Sequence, residues 1–417
     1  MISRCNKMLG GTKVITLNEL KHQSKACTCG NNHYDILIDN IVISDQALQQ
    51  VVPYLESKQF KKVAIIADEH TDDVVGKTIS NLIREANIAN SKSILQPNAQ
   101  GDVVADEAAL IEAMLGIPRD VDVVIAVGSG TIHDIVRFAS FKMGKPFISV
   151  PTAPSVDGFN SMGAPVIIKG VKLTYQMQSP LAVFADLSIL IGAPKEMIAA
   201  GFADMIGKYT SLADWKFSHL VADEPYCPLS ARLTQEALDG CVNSVEQIIQ
   251  AEKDGIKILM ESLIQSGLAM LLVGHSSPAS GGEHHLSHFW EMDFIKNAKT
   301  QVLHGAKVGV STQLVLDLYK NQMLELIYSD DKLQELSTNK ADAVLKQQDE
   351  LVQVLKALPN SSDIAAMLKS LQGAVTPSDL GIPSELVSES LRKAHKLRDR
   401  YTMLKFWNEH VGLHEYV

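Results

Sequence analysis

Val121-Asp-Val-Val-Ile-Ala-Val127, followed directly by Gly128-Ser-Gly-Thr-Ile-His-Asp134, is the stretch that decides the fold. Its first part is apolar and rich in β-branched residues, which predicts a buried strand. Its second part opens with glycines and continues as helical sequence, so we expect the first turn of a helix to offer free N–H groups to a diphosphate. The segment departs from the usual dinucleotide fingerprint at His133, where a glycine is expected. A tight turn without a ligand is therefore the alternative.

Similar strands are predicted on both sides of this turn. Lys61–Ala67 precedes it and Pro146–Pro151 follows it, and both are apolar and bounded by turn residues. The sequences between the strands, over Thr71–Ala89 and Ala105–Leu115, have helical spacing. Strands that alternate with helices indicate a parallel sheet covered on both faces, as in Rossmann-like nucleotide-binding domains.

The character of the sequence changes near residue 192. Two β-rich segments, Pro165–Thr174 and Leu181–Phe184, predict a hairpin or edge strands before this point. From Pro194 onward, amphipathic helical patterns dominate and strand signals are scarce. We therefore predict an N-terminal extension over residues 1–34, an α/β dinucleotide-binding domain over 35–192 and an all-α metal and substrate domain over 193–417. A cleft between two such domains is a usual place for a ligand.

Composition excludes several classes of protein. The chain has 417 residues, 46% of them apolar and 21% charged, with a net charge of −10. This acidity disfavours a nucleic-acid or anionic-membrane surface. The first residues lack the apolar core of a signal peptide, and no long uninterrupted apolar segment predicts membrane insertion. Five scattered cysteines argue against a disulfide framework, so we expect a cytoplasmic protein.

Histidines cluster in Ser280-Gly-Gly-Glu-His-His-Leu-Ser-His288, and His304 follows soon after. His284 and His288 are four residues apart and share one face of a helix, while His285 points elsewhere. Asp204 lies on a largely apolar helical pattern, where a carboxylate is costly unless it is paired or bound to a metal. An Asp-His-His set with an open position is typical of a catalytic metal site. The alternatives are an Asp204–Lys208 helix pair and imidazoles buried in the core.

A second loop could complete a cofactor site. Val150-Pro-Thr-Ala-Pro-Ser-Val-Asp-Gly158 follows a predicted strand and carries hydroxyl groups at the edge of the sheet where ligands bind. Asp68, at the end of another strand, could accept a ribose hydroxyl and would then favour NAD over NADP; its alternative role is a simple turn or cap.

Together, these motifs resemble the superfamily of dehydroquinate synthase-like and iron-type alcohol dehydrogenases. Within it, the chain is most similar to bacterial-type glycerol-1-phosphate dehydrogenases over roughly residues 35 to 405. The resemblance rests on these segments: Gly128–Asp134, Pro151–Gly158, Gly201-Phe-Ala-Asp204, Ser280–His288, His304-Gly305 and Arg398-Asp-Arg-Tyr-Thr402. It implies NAD(P)-dependent, reversible reduction of dihydroxyacetone phosphate to sn-glycerol 1-phosphate, a step in glycerophospholipid and ether-lipid synthesis.

The resemblance also implies roles for individual residues. Asp204, His284 and His304 would bind one divalent metal, zinc in archaeal relatives and nickel in bacterial ones. Asp157, Asp204 and His288 would contact the substrate. The cofactor would be held by the following residues: Asp68, Gly128, Gly130, Thr131, Ile132, His133, Asp134, Thr152, Ala153, Pro154, Ser155 and Ser161. The expected partners are this small substrate and a second copy of the chain, as a homodimer.

Three other functions fit the same pattern. They are a metal-dependent glycerol or other polyol dehydrogenase, a non-redox cyclase like dehydroquinate synthase, and a non-catalytic protein that keeps the metal for stability. The partners of a substrate phosphate stay open between Lys208 and the pair Arg398 and Arg400, whose alternative is a surface salt bridge.

Cys27-Thr-Cys-Gly-Asn-Asn-His33 resembles half of a zinc site. Only Cys5 or His22 offers itself as a second ligand pair, so the sequence favours a flexible N-terminal extension. Cys227 and Cys241 are interpreted as ordinary residues in or beside helices.

Overall fold

The computed structural model describes residues 15–412. Its strands are β1 (Asn40–Ser44), β2 (Lys62–Asp68), β3 (Ala89–Leu95), β4 (Val123–Gly128), β5 (Phe147–Pro151), β6 (Gly163–Ile168), β7 (Val171–Gln176) and β8 (Ala182–Asp186). Six of them form a parallel sheet in the order β1-β8-β5-β4-β2-β3, and β6 pairs with β7 in an antiparallel hairpin. The predicted α/β fold with a parallel sheet is confirmed.

Burial explains which strands the sequence predicts. Every residue of β4, β5 and β8 is buried, so these strands have the continuous apolar pattern of a central parallel strand. The segment Leu181–Phe184 was predicted as a hairpin or edge strand, whereas β8 lies inside the sheet between β1 and β5. β1 and β3 form the two edges and have mixed exposure, and the sequence predicts neither. The helix predicted over Thr71–Ala89 ends at Glu85, before β3 begins.

Helices make up the rest of the regular structure. The α/β half contains these: α1 (Leu17–Ala26), α2 (Val51–Ser57), α3 (Glu69–Thr71), α4 (Lys77–Glu85), α5 (Glu107–Gly116), α6 (Gly130–Lys142) and α7 (Leu187–Ile191). The second half contains α8 (Lys195–Ile206), α9 (Lys208–Ala222), α10 (Pro228–Asn243), α11 (Val245–Ile249), α12 (Lys253–Val273), α13 (Gly282–Lys296), α14 (His304–Asp317), α15 (Leu324–Ile327), α16 (Asp330–Glu335), α17 (Asn339–Lys346), α18 (Gln348–Ala357), α19 (Ser361–Ser370), α20 (Ser384–Lys393) and α21 (Met403–Phe406). Among the described residues no strand follows β8, which agrees with the predicted helical half.

One large apolar core joins the helices of the second half. α12 lies at its centre, and most of its residues are buried. By length and composition alone this helix could cross a membrane, but most of it is buried inside the protein, mainly against α10 and α11. It is therefore a core helix.

The N-terminal segment packs onto this same core. The side chain of Leu20, in α1, is fully buried beside Ile36 and Ile38, and the N–H of Tyr34 donates to the carbonyl of Leu272 at 2.9 Å. The prediction of a flexible extension is therefore wrong for residues 15–34. Cys5 and the other residues up to 14 lie outside the described part of the chain.

Candidate active site

A cleft of about 800 Å³ lies between the α/β half and the helical half. Its α/β wall includes the turn after β4 and the loop after β5. Its opposite wall comes from α13, the start of α14 and the segment before α21. The predicted site residues that line it are Gly130, Thr131, Asp134, Ser155, Asp157, Ser161, His284, His288 and His304.

The structure brings Asp204, His284 and His304 together from α8, α13 and α14. One ligand atom from each lies within 4.8 Å of the other two. The Nε2 atom of His284 is 3.7 Å from a carboxylate oxygen of Asp204, and the rings of His284 and His304 are 5.1 Å apart. Nδ1 of His304 is buried without a hydrogen-bond partner among residues 15–412, as expected of an atom that awaits a ligand. Two imidazoles and one carboxylate at this spacing fit a divalent metal with an open position.

Two glycines allow α8 to approach the loop after β5 and the start of α14. A Cβ atom on Gly201 would lie 1.8 Å from the carbonyl oxygen of Pro154, so α8 touches the loop after β5 through bare backbone. A Cβ atom on Gly305 would lie 1.9 Å from the carbonyl oxygen of Ala200, so α14 touches α8 in the same way. Any larger residue would separate these elements. Gly305 therefore permits the close approach of α14, which begins at His304, to α8, which carries Asp204.

His284 is held as a neutral imidazole. Its Nδ1–H donates to Glu283 at 2.7 Å, which leaves Nε2 free to face Asp204. Burial lowers the pKa of His284 to about 3, and the charge of Lys208 adds to this effect. Glu283 is itself fixed by the hydroxyl of Thr210 at 2.6 Å. Such carboxylate partners orient metal-binding histidines in proteins.

Asp204 also belongs to a buried ion-pair network. The ammonium group of Lys208 lies 2.8 Å from Asp204 and 2.8 Å from Asp157, and the N–H of Asp157 donates to the second oxygen of Asp204 at 3.0 Å. Burial alone would lower the pKa of Lys208, but the two carboxylates raise it above its ordinary value. The Asp204–Lys208 helix pair considered above thus exists, together with the cluster of ligand atoms. Because both carboxylates occupy Lys208, it is not free to hold a substrate phosphate.

His288 faces the cleft between two charged groups. Its Nε2 accepts a hydrogen bond from Arg398 at 2.9 Å, and its Nδ1 lies 3.5 Å from Glu291. Since a guanidinium only donates, the ring carries its proton on Nδ1. Glu291 is also bound by Lys172 at 2.8 Å and lies 3.5 Å from Lys307. Sequence reasoning missed Glu291, although its position three residues after His288 places both on one helix face.

The predicted cofactor residues divide into two groups. Ser129, the N-cap of α6, makes no capping hydrogen bond, so N–H groups of the first turn stay open toward the cleft. The cleft is lined by Gly130, Thr131, Asp134, Ser155 and Ser161. The other predicted residues are not among its lining residues; they are Asp68, Gly128, Ile132, His133, Thr152, Ala153 and Pro154.

Two of these residues have other partners. His133 is fully buried; its Nδ1–H donates to the carbonyl of Ser129 at 2.8 Å, and its Nε2 accepts from the hydroxyl of Ser149 at 2.7 Å. Its side chain therefore stabilises the turn through Ser129 and does not reach a cofactor. Asp68 caps α3 by accepting from the N–H of Thr71 at 2.8 Å, which is the alternative considered for it. Asp134 lines the cleft and is paired with the buried Arg137 at 2.6 Å.

Arg398 and Arg400 form a cationic corner of the cleft. Arg398 donates to Ser280 at 3.0 Å and Arg400 to Ser276 at 3.2 Å, and both arginines line the cleft. Within residues 15–412, no carboxylate lies within 4.0 Å of either guanidinium. Burial and the charge of Arg398 lower the pKa of Arg400 to about 10. Two adjacent cations without a carboxylate partner attract an anion.

Known proteins are similar to this chain in fold and in sequence. Residues 42–194 match the family described as iron-containing alcohol dehydrogenase. An alcohol dehydrogenase from Oenococcus oeni superposes with a TM-score of 0.63 over 90% of this chain and 100% of its own; at 15% identity it shows the fold alone. A glycerol-1-phosphate dehydrogenase [NAD(P)+] from Geobacillus stearothermophilus is 49% identical over 94% of this chain and 98% of its own length. The chain belongs to the glycerol-1-phosphate dehydrogenase family.

A less similar relative also matches most of the chain. The enzyme of this name from Bacillus subtilis (strain 168) is 42% identical over 92% of this chain and 94% of its own. The sequence similarity to glycerol-1-phosphate dehydrogenases therefore spans most of the chain.

Proposed function

We propose that this protein catalyses the reversible, NAD(P)-dependent reduction of dihydroxyacetone phosphate to sn-glycerol 1-phosphate at a divalent metal. The observation that carries the proposal is the meeting of Asp204, His284 and His304 beside the cationic pair Arg398 and Arg400. Alcohol and ketone chemistry at a metal requires ligands such as Asp204, His284 and His304. A phosphorylated substrate requires cationic partners such as Arg398 and Arg400.

The metal ligands would be Asp204, His284 and His304, with nickel or zinc as the ion implied by the resemblance. When bound, the ion polarises the carbonyl group of the substrate. The neutral imidazole of His284 supports this assignment, because a metal binds an unprotonated ring nitrogen, and its Nε2 lies 3.7 Å from a carboxylate oxygen of Asp204. Lys208 and Glu283 hold these two side chains in place.

The cofactor diphosphate would bind at the open N-terminus of α6. Gly130 and Thr131 supply the cleft surface there, and Ser155 and Ser161 continue it toward the metal ligands. A helix N-terminus binds phosphate through free N–H groups and the helix dipole. We keep both NADH and NADPH as cofactors, because Asp68 is engaged as a helix cap.

The substrate phosphate would bind to Arg398 and Arg400, with Ser276 and Ser280 beside them. The reduction requires a hydride at C2, which a bound nicotinamide would supply, and a proton at the C2 oxygen. His288 carries its proton on Nδ1 next to Glu291, and we propose it as the group that relays the proton. A phosphate that binds Arg398 would also compete for the guanidinium that now occupies Nε2 of His288.

The proposal has a cellular side, which rests on the family resemblance. The product is a phosphorylated glycerol backbone, so we propose a role in glycerophospholipid and ether-lipid synthesis by a cytoplasmic homodimer. Size-exclusion chromatography with light scattering measures the oligomeric state directly.

The substrate test compares two ketones. We expect the metal-loaded protein to oxidise NADH or NADPH with dihydroxyacetone phosphate far faster than with dihydroxyacetone, and chiral analysis to identify sn-glycerol 1-phosphate. Preference for dihydroxyacetone would contradict the proposal and indicate a polyol dehydrogenase. Turnover of a phosphorylated substrate without stoichiometric NADH consumption would indicate a cyclase.

A further inference from the structure

A second cluster of metal-binding side chains lies away from the cleft. Cys27, Cys29 and His33 belong to the segment after α1, and Cys227 is the N-cap of α10. One ligand atom from each of the four residues lies within 4.8 Å of the other three. Three thiols and one imidazole thus converge from two parts of the chain about 200 residues apart.

The distances fit a tetrahedral ion. The Sγ atoms of Cys27 and Cys227 are 3.9 Å apart, and Nε2 of His33 lies 3.4 Å from Sγ of Cys29 and 3.3 Å from Sγ of Cys227. A zinc ion with Zn–S bonds of about 2.3 Å and a Zn–N bond of about 2.0 Å sets its ligand atoms roughly 3.5 to 3.8 Å apart. These separations therefore match the edges of one tetrahedron within a few tenths of an ångström.

The surrounding contacts orient the ligands. The Nδ1–H of His33 donates to the carbonyl of Ser24 at 3.0 Å, which leaves Nε2 unprotonated and facing the thiols. Asn31 donates to the carbonyl of Tyr226 at 2.8 Å and so ties the loop between Cys29 and His33 to the residue before Cys227. The N–H of Ser230 points at Sγ of Cys227 at 3.4 Å. Such a set of partners is typical of a preformed metal site.

We propose that Cys27, Cys29, His33 and Cys227 bind one structural zinc ion. Four protein ligands leave no open position, which distinguishes this site from the Asp204 cluster, and the three thiols lose their protons as the ion binds. The ion would join the segment after α1 to the start of α10. Only the fold brings Cys227 to this place, which is why the sequence showed half a site.

The zinc site would also support the cleft. Immediately after His33, the ring of Tyr34 packs against Gly274, where a Cβ atom would lie only 2.0 Å from the ring. His275 and Ser276, which follow Gly274, line the cleft beside Arg400. A metal that fixes His33 therefore holds Tyr34 against the base of the substrate-binding wall.

Cobalt substitution separates this site from the catalytic one. Co²⁺ bound to thiolates gives an intense sulfur-to-metal charge-transfer absorption, which the sulfur-free Asp204, His284 and His304 set cannot produce. We expect the full-length, reduced protein loaded with Co²⁺ to show this absorption, and the same protein loaded with Zn²⁺ instead to retain one zinc per chain after mild chelation. Cys29→Ser and His33→Ala should lose that zinc and most of the absorption.

Two matched variants serve as controls. Cys241→Ala removes a buried cysteine of α10 outside the cluster, and His284→Ala removes a ligand of the other site; both should keep the charge-transfer absorption. Absence of the absorption in the unmodified protein would overturn the proposal. So would full absorption in Cys29→Ser, or a metal-free disulfide between Cys27 and Cys227 found by mass spectrometry under the same reducing conditions.

Discussion

Single buried hydrogen bonds decide which ring nitrogen carries the proton in two histidines of this cleft. Glu283 fixes the tautomer of His284, and Arg398 fixes that of His288. The meeting of Asp204, His284 and His304 could be predicted from the sequence. Glu283 could not be assigned a role, because the direction of its side chain depends on Thr210 from another helix.

Arg400 offers the cleanest test of phosphate recognition, because it contacts Ser276 and leaves His288 untouched. A charge-assisted hydrogen bond contributes about 1.5–3 kcal/mol, which is roughly a 10- to 150-fold change in binding. We expect Arg400→Ala to raise KM for dihydroxyacetone phosphate within this range and to change kcat little. Steady-state kinetics should show no such rise for Arg232→Ala, an exposed arginine on α10. An unchanged KM in Arg400→Ala would remove this residue from the phosphate site.

His133 predicts a pH effect on stability. Burial lowers its pKa from the ordinary value near 6.5 to about 3, so the folded state keeps it neutral where the unfolded state binds a proton. Its contribution is therefore complete above pH 6.5 and decreases as the pH falls, by about 2 kcal/mol at pH 5. His133→Asn keeps a donor toward Ser129 but does not titrate. Urea unfolding should show a larger stability difference between wild type and this variant at pH 7.5 than at pH 5; equal differences would contradict the assignment.

At the scale of the elements, burial determines how much the sequence reveals. β4 and β5 are buried on both faces and were predicted close to their true bounds, whereas the edge strand β3, which has mixed exposure, was not predicted. The proximity of Cys227 to the cysteines after α1 could not be predicted, because no local sequence pattern indicates a contact between such distant segments. Predictable features were those that repeat along one segment, and unpredictable ones were contacts between distant segments.

The approach of α8 to the loop after β5 depends on Gly201. Replacement by alanine would drive a methyl group into the backbone carbonyl of Pro154, and overpacking of this kind typically costs about 1–3 kcal/mol. We expect Gly201→Ala to lower the free energy of unfolding by this amount and to weaken metal binding through Asp204. Gly192→Ala is the control, since its Cβ would meet only ordinary contacts at 3.4 Å. Equal stability of the two variants, measured by chemical denaturation, would contradict the close approach.

At the scale of the whole molecule, the cleft assembles groups from distant parts of the sequence. The helix N-terminus at Gly130 lies on one wall, and the histidines of α13 and α14 lie on the other with Arg398 and Arg400. The division into an α/β half and a helical half could be predicted from periodicity. The sequence could not predict which basic residues are available in the cleft. Lys208 and Arg398 are both cationic, and only the structure shows that buried carboxylates pair with Lys208.

The central claim is that Asp204, His284 and His304 hold the metal at which dihydroxyacetone phosphate is reduced. The most direct measurement compares His284→Ala with His22→Ala, which changes an exposed histidine on α1, in NADH oxidation with dihydroxyacetone phosphate after loading with Ni²⁺ or Zn²⁺. The account predicts that His22→Ala keeps full activity, while His284→Ala loses at least about 100-fold in kcat/KM, equivalent to about 2.7 kcal/mol of transition-state stabilisation, and retains its fold by circular dichroism. Full turnover by a correctly folded His284→Ala protein would contradict it.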